Sequence, residues 1–244
     1  MALLIELLME IVVGALIGYT IASFVESYAH EYISDAPEKW FNFYRAYPRL
    51  FKSALETYFS HHVIHHMKTY RQDYVTQFSS DDERKRLTKA MEKRGRHGKI
   101  IIDSDFAIRL NGSGITNFIL PLAIFIPLLY WLLPTGMFVA SLATLWFPVG
   151  MSHWVHSYLH MSFDEAIAKA SPVMGWLLQT KYMKNVRINH YLHHVYGGVS
   201  NFNLVLGADI IRGKTRVITA GDWQQMNNLG LLDNSHDYVE IANV

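Results

Sequence analysis

Apolar and charged positions are unevenly spread along the chain. Residues 110–163 form 54 consecutive positions without Asp, Glu, Lys or Arg, and within them residues 117–133 and 137–152 are almost wholly apolar. Pro134-Thr135-Gly136 parts these two runs, and a Pro-x-Gly break between helix-length apolar segments predicts the tight turn of a helical hairpin. At 17 and 16 residues, each run is at the short end of what crosses roughly 30 Å of hydrocarbon. Pro121, Pro127 and Pro148 would kink these helices, which lipid-embedded helices tolerate better than soluble ones do. The absence of a polar face argues against a hairpin buried in a soluble core. A weaker span covers about residues 7–25. Positions 11–25 carry no charge, and Glu6 and Glu10 fall near its outer end. With no basic residue ahead of it and no small-x-small site behind it, this run reads as an uncleaved membrane helix and not as a signal peptide.

The segments between the spans also read as helical. Trp40, Phe41, Phe43, Tyr44, Tyr47, Phe51, Tyr58 and Phe59 crowd the stretch after the first span, as at a headgroup interface or in an aromatic core. Residues 81–99 are a charge run of the kind found on solvated helices. Residues 173–178 are apolar but too short to cross, and short extended pieces fit only 99–102 and 203–211. Fifteen of the 22 Lys and Arg lie between Lys39 and Arg109, and the other seven lie beyond Phe163. By the positive-inside rule both charged regions are cytoplasmic, which three crossings with an outside N-terminus satisfy. The expected fold is therefore all-α and integral to the membrane. A single domain, 1–244, would have spans at about 7–25, 117–133 and 137–152 and a helical cytosolic cap formed by 26–116 and 153–244.

Composition adds one anomaly. The chain has 244 residues, a net charge of +1 and no cysteine. These features give no general electrostatic case for nucleic acid and exclude disulfides, thiolate metal sites and cysteine nucleophiles. Against that stand thirteen histidines. Ten fall in three groups: His61, His62, His65 and His66; His153, His156 and His160; and His190, His193 and His194. His30 stands alone at the end of the first span, five residues before Asp35. On an α-helix, positions i, i+3 and i+4 share a face, so His62, His65 and His66 would converge, as would His190, His193 and His194, and His156 with His160. Neutral imidazole binds iron, zinc, copper or nickel. The three boxes supply eight ligands and His30 a ninth, a number that suits two ions of about four nitrogens each.

These residues carry a family resemblance. HxxHH at 62–66, His156-Ser157-Tyr158-Leu159-His160 and His190-Tyr191-Leu192-His193-His194 resemble the histidine boxes of the fatty acid hydroxylase superfamily. That superfamily comprises membrane di-iron enzymes such as fatty acyl 2-hydroxylases, sterol C4-methyl oxidases and sterol C5-desaturases. The stretch from Asn201-Phe202 through Asp209 to Gly213-Lys214-Thr215 is similar to the family's segment after the last box. The likeness runs from about Glu26 to Thr215. It implies membrane hairpins under a cytosolic cap that holds two irons. It also implies O₂-dependent hydroxylation, or desaturation from the same hydrogen abstraction, of a lipid such as a fatty acyl chain or a sterol. The family's first box is usually HxxxxH. Here Asp35 takes the second histidine's place, either as a carboxylate ligand or leaving one ligand fewer. His61 and His153 are extra to the pattern and open to roles as ligands, partners of ligands or surface groups.

Glu26, Asn189 and Asn201, and also Glu31 and Asp164, are placed to orient ligands or to cap helices. Electrons would come from an external carrier of cytochrome b5 or ferredoxin type, because the chain has no His-Pro-Gly-Gly haem signature, no cysteine cluster and no GxGxxG. The basic residues from Arg84 to Lys99 offer a docking face or simply a solvated helix. A bacterial inner membrane and an endoplasmic reticulum membrane fit equally well. Among rival functions, a metal transporter would place ligands near the bilayer midplane, yet both apolar runs lack histidine. A zincin would carry HExxH, which is absent. A non-catalytic metal-binding scaffold is the remaining alternative.

Overall fold

A computed structural model describes residues 2–66, 80–95, 98–99, 102 and 119–233, and every regular element among them is helical. Helix α1 (Ala2–Ala29) is rich in Leu, Ile and Ala and holds no proline. At 28 residues it is about 42 Å long, more than the roughly 30 Å of a hydrocarbon core. There follow α2 (Glu38–Ala46), α3 (Lys52–Tyr58) and α4 (Asp81–Glu92). An apolar series comes next: α5 (Leu120–Ala123), α6 (Phe125–Leu132), α7 (Thr135–Leu145) and α8 (Phe147–Gly150). The last part contains α9 (His156–Leu159), α10 (Phe163–Lys169), α11 (Pro172–Leu178), α12 (Lys181–Val195), α13 (Ala208–Ile211) and α14 (Ala220–Asn228). Three further segments, His30–Ser34, Phe59–His65 and Met151–Val155, are π-helical.

Helices α1 and α7 form the central apolar contact. A Cβ on Gly14 would lie 2.2 Å from the carbonyl oxygen of Met137, and one on Gly18 would lie 2.1 Å from that of Ser141. Only glycine permits this approach, the small-xxx-small packing of membrane helices. The Ser141 hydroxyl donates to the Gly14 carbonyl (2.7 Å) and the Thr144 hydroxyl to that of Ala15 (2.9 Å). Because position numbers rise together along this contact, the two helices run parallel. Glu10 meets Gly136 at the hairpin turn, while the far ends of both helices deliver His30 and His156. Ala22, Leu122, Leu129 and Leu145 fill the core between them. The outer faces of this bundle expose Leu3, Leu4, Leu16, Ile124, Tyr130 and Trp131.

The stretches Leu3–Ser34 and Thr135–Leu159 are long and apolar enough to cross a membrane; they contain the expected spans 7–25 and 137–152. The segment expected at 117–133 is shorter than a span. Leu120–Leu132 is thirteen residues or about 20 Å, and it is interrupted at Ile124 between the helices that contain Pro121 and Pro127. Positions 117–118 lie outside the described residues, as do 67–79, 96–97, 100–101, 103–116 and 234–244 of the expected cap and of the 99–102 piece.

The polar part folds back on the C-terminal end of α1. The Tyr19 hydroxyl donates to the Leu206 carbonyl (2.6 Å), the Ser23 hydroxyl to that of Val205 (2.7 Å), and the Asn203 amide to that of Ser23 (2.8 Å). Glu31 pairs with Arg212 and, at 2.7 Å, with Lys214. Residues 203–211 are not extended as expected. Asp209 accepts from the Asn203 N–H (2.7 Å) and Asn203 from the Asp209 N–H (3.0 Å), which closes the segment into a turn that leads into α13.

Candidate metal centre

The π-helical segments decide which side chains meet. In such a segment the N–H of residue i+5 bonds to the carbonyl of residue i, and residues five apart therefore stack. The Asp35 N–H bonds to the His30 carbonyl at 2.8 Å, and the His66 N–H bonds to that of His61. Each pair faces one centre. The third π-helical segment closes with the His156 N–H on the Met151 carbonyl and turns His156 inward. Helix α12 keeps α geometry, so His190 and His194 share one face and His193 projects beside them. The Thr180 hydroxyl caps the start of α12, and Gly197 and Gly198 stop it, both at positive φ.

Ten buried side chains gather into two groups of five. One is His65, His156, His160, His190 and His194; the other is His30, Asp35, His61, His66 and His193. Within each group the potential ligand atoms all lie within 4.8 Å of one another. The groups abut, since the His66 ring stacks on that of His194 with centroids 4.4 Å apart. The π-helical turn Phe59–His65 with His66, and α12, each contribute to both groups.

The spacing fits cations. In the all-histidine group the Nε2 atoms of His156, His160 and His190 are mutually 3.0 Å apart, and His194 Nε2 is 3.1 Å from that of His190. Two ligands held at about 2.1 Å from one ion and about 90° apart are about 3.0 Å from each other. A closed triangle of imidazole nitrogens cannot be satisfied by hydrogen bonds alone, because each neutral ring carries a single N–H. In the other group the two Asp35 oxygens lie 3.2–3.4 Å from nitrogens of His30, His61, His66 and His193. Both ring nitrogens of His66 are buried without a hydrogen bond.

Electrostatics keep the ligand atoms available. Burial, and then the neighbouring imidazoles, hold His65, His160, His190 and His194 well below the ordinary histidine range. The neutral form that burial favours is the form of imidazole that binds a metal ion. Burial alone would raise Asp35, but His66, His61 and His193 around it hold its carboxyl well below the usual range. Hydrogen bonds from the other ring nitrogen fix orientation: His30 Nδ1 bonds to the Phe202 carbonyl (2.5 Å) and His193 Nδ1 to that of Ser200 (2.8 Å). Both bonds leave Nε2 facing the centre.

The remaining candidates lie around this centre. The side chain of His62 is 35% exposed and sits outside both groups, with Nδ1 2.9 Å from Asp35 Oδ1. His153 is exposed beside Trp154 and is outside both groups. Asn189 and Asn201 form a buried amide pair, and the Asn189 amide also donates to the Asn203 carbonyl at 2.7 Å. Asn201 is at φ 56°, a left-handed conformation that asparagine tolerates. Glu26 accepts from the Val205 N–H (2.8 Å) and the Asn203 amide (3.1 Å). Glu26, Asn189 and Asn201 thus grip the loop whose Phe202 carbonyl aims His30. Asp164 is exposed in the first turn of α10. Two contributors were not among the sequence candidates. A Cβ on Gly198 would lie 2.8 Å from Asp35 Oδ1 and 3.0 Å from His66 Cε1, and the Gly-Gly signal for a helix end was readable in the sequence. Buried Arg187 donates to the carbonyls of Met161 (2.8 Å) and Tyr158 (3.2 Å), which bracket His160.

Each of the two adjacent, buried, nitrogen-rich groups offers five donors, enough to hold a metal ion. No family model matches the chain, and neither a curated protein nor a solved structure matches it.

Proposed function

We propose that the protein is an integral-membrane di-iron oxygenase of the fatty acid hydroxylase type, which hydroxylates an unactivated C–H bond of a fatty acyl chain or a sterol. The observation that carries this reading is the pair of abutting five-donor groups at the inner ends of two membrane-length apolar helices. Iron held by the ten side chains would supply the O₂ activation that no protein side chain can provide. The chain's own part is to hold and to shield. His30 and His193 are fixed by the Phe202 and Ser200 carbonyls, Asp35 supplies the carboxylate, and burial of all ten donors excludes water.

The membrane arrangement supports a lipid substrate. Helices α1 and α7 run parallel towards the centre, and α5 and α6 form the short first arm of the hairpin beside them. The exposed apolar girdle meets lipid. The distribution of Lys and Arg supports a centre on the cytosolic side, where a chain lying in the bilayer would reach it from below. Electrons come from an external one-electron protein carrier. The exposed basic residues Arg86, Lys89, Lys93, Arg94 and Lys99, in the second half of α4 and just beyond it, would form its docking site.

The test is isotopic. Iron-loaded protein in lipid nanodiscs is supplied with a reductant, ¹⁸O₂ and a lipid extract, and products are read by mass spectrometry. One ¹⁸O atom should enter a lipid, and the label should vanish in His193→Ala. Protein carrying two irons that leaves every lipid unlabelled and unsaturation unchanged would overturn the oxygenase reading.

A further inference from the structure

The two groups differ in charge. The group of His65, His156, His160, His190 and His194 offers five neutral donors. A divalent ion there would keep its whole charge inside a buried site, where uncompensated charge is costly. The other group contains Asp35, with its side chain fully buried and both oxygens turned towards imidazoles. An ion bound there has half its charge cancelled by a ligand atom.

A second observation acts in the same direction. The Arg187 guanidinium is 2% exposed and donates to the carbonyls of Tyr158 and Met161, on either side of His160. It cannot lose its proton, so a fixed positive charge stands beside the all-histidine group. One centre is therefore made electronegative by a ligand, and its neighbour is made electropositive by a residue behind it.

We propose that the centre loads in a fixed order: the Asp35 group binds its ion first and more tightly, and the all-histidine group binds second and more weakly. This rests on the reading of both groups as metal sites. It goes beyond that reading by making the two sites functionally unequal, with a half-loaded state that carries its single ion on Asp35, His30, His61, His66 and His193.

The experiment uses the full chain in nanodiscs, stripped by a chelator and titrated anaerobically with Co²⁺, followed by calorimetry and by the visible absorption of bound cobalt. Two steps are expected, the first at least about tenfold tighter than the second, a gap of the size that changes near a metal's ligands produce. Asp35→Asn, close to isosteric, should abolish the tight step and leave the weak one. His194→Ala should do the reverse. Arg187→Gln should narrow the gap by tightening the second step, and circular dichroism melts establish that each variant is folded. Two equal steps in the unaltered chain, or a tight step that survives Asp35→Asn and disappears in His194→Ala, would overturn the proposed order. The absence of any saturable cobalt binding would instead remove the metal-centre reading on which it rests.

Discussion

Substituting His61 and His62 one at a time distinguishes the π-helical arrangement from an α-helical one. On an α-helix His62 would join His65 and His66 on one face, while His61, stacked on His65, would be turned about 140° from His66. With the i→i+5 closure of the observed turn, His61 pairs with His66. The surroundings of the two rings differ accordingly. His61 is 1% exposed, its Nε2 3.2 Å from that of His30 and its Nδ1 3.3 Å from Asp35 Oδ1. The His62 side chain is 35% exposed and meets the centre from outside, through Asp35 and the His66 ring, whose centroid is 5.8 Å away. Removing His61 takes one donor from a set of five and leaves a buried gap. Removing His62 takes away a partner of one ligand, and water can replace it. Losing an outer partner typically costs 10–100-fold in metal affinity, and the exposure of His62 puts its loss near about tenfold. Loss of His61 should exceed about a hundredfold. Competition between the protein and a chromophoric chelator for Zn²⁺ measures both. If His62→Ala weakens one site more than His61→Ala does, the π-helical register is wrong.

Further outcomes follow from the packing around the centre. Gly198→Ala places a Cβ 2.8 Å from Asp35 Oδ1 at φ 73°, a conformation that costs about 1–2 kcal/mol for other residues. It should displace Asp35 and strip metal from that group alone, as metal analysis of the purified variant will read. Gly14→Leu drives a side chain into the Met137 backbone and should lower the melting temperature in detergent through overpacking of about 1–3 kcal/mol; an unchanged melt would contradict the α1–α7 contact. Glu31→Gln removes one of the two acidic neighbours of Arg212 and should cost about 1–3 kcal/mol, seen as a loss of thermal stability larger than that of an exposed control such as Glu165→Gln. The metal-free protein should lose stability as pH falls below about 6.5. Burial holds His160, His190 and His194 well below that value in the folded state, so the unfolded chain takes up protons first and is favoured as pH drops. Above 6.5 the contribution is constant, and stability that rises on acidification would refute the sign.

Much of this was legible from spacing alone. Charge-free runs marked the helices that converge on the centre, and the i, i+3 and i+4 histidines of 190–194 and the pair His156 and His160 needed only α geometry. At the π-helical turn Phe59–His65 the inward residue is one position from where α periodicity puts it. Sequence periodicity carries no signal for a π turn, so His62 stood as a ligand candidate ahead of His61, and the pairing of His30 with Asp35 rested on the family's box length. The tethering of Phe202 through Asn189, Asn201 and Asn203 depends on contacts between segments 12–14 residues apart, and the contact of Gly14 with Met137 spans more than a hundred. Periodicity within one element cannot reveal either.

The central claim is that one chain holds two neighbouring metal sites built from ten named side chains. Its most direct test is the iron content per chain of gently solubilised protein from iron-fed cells, with His193→Ala purified alongside. Two irons per chain, falling to about one in the variant because His193 belongs to a single group, is the predicted result. One iron or none in the unaltered protein, or two retained in His193→Ala, would contradict it.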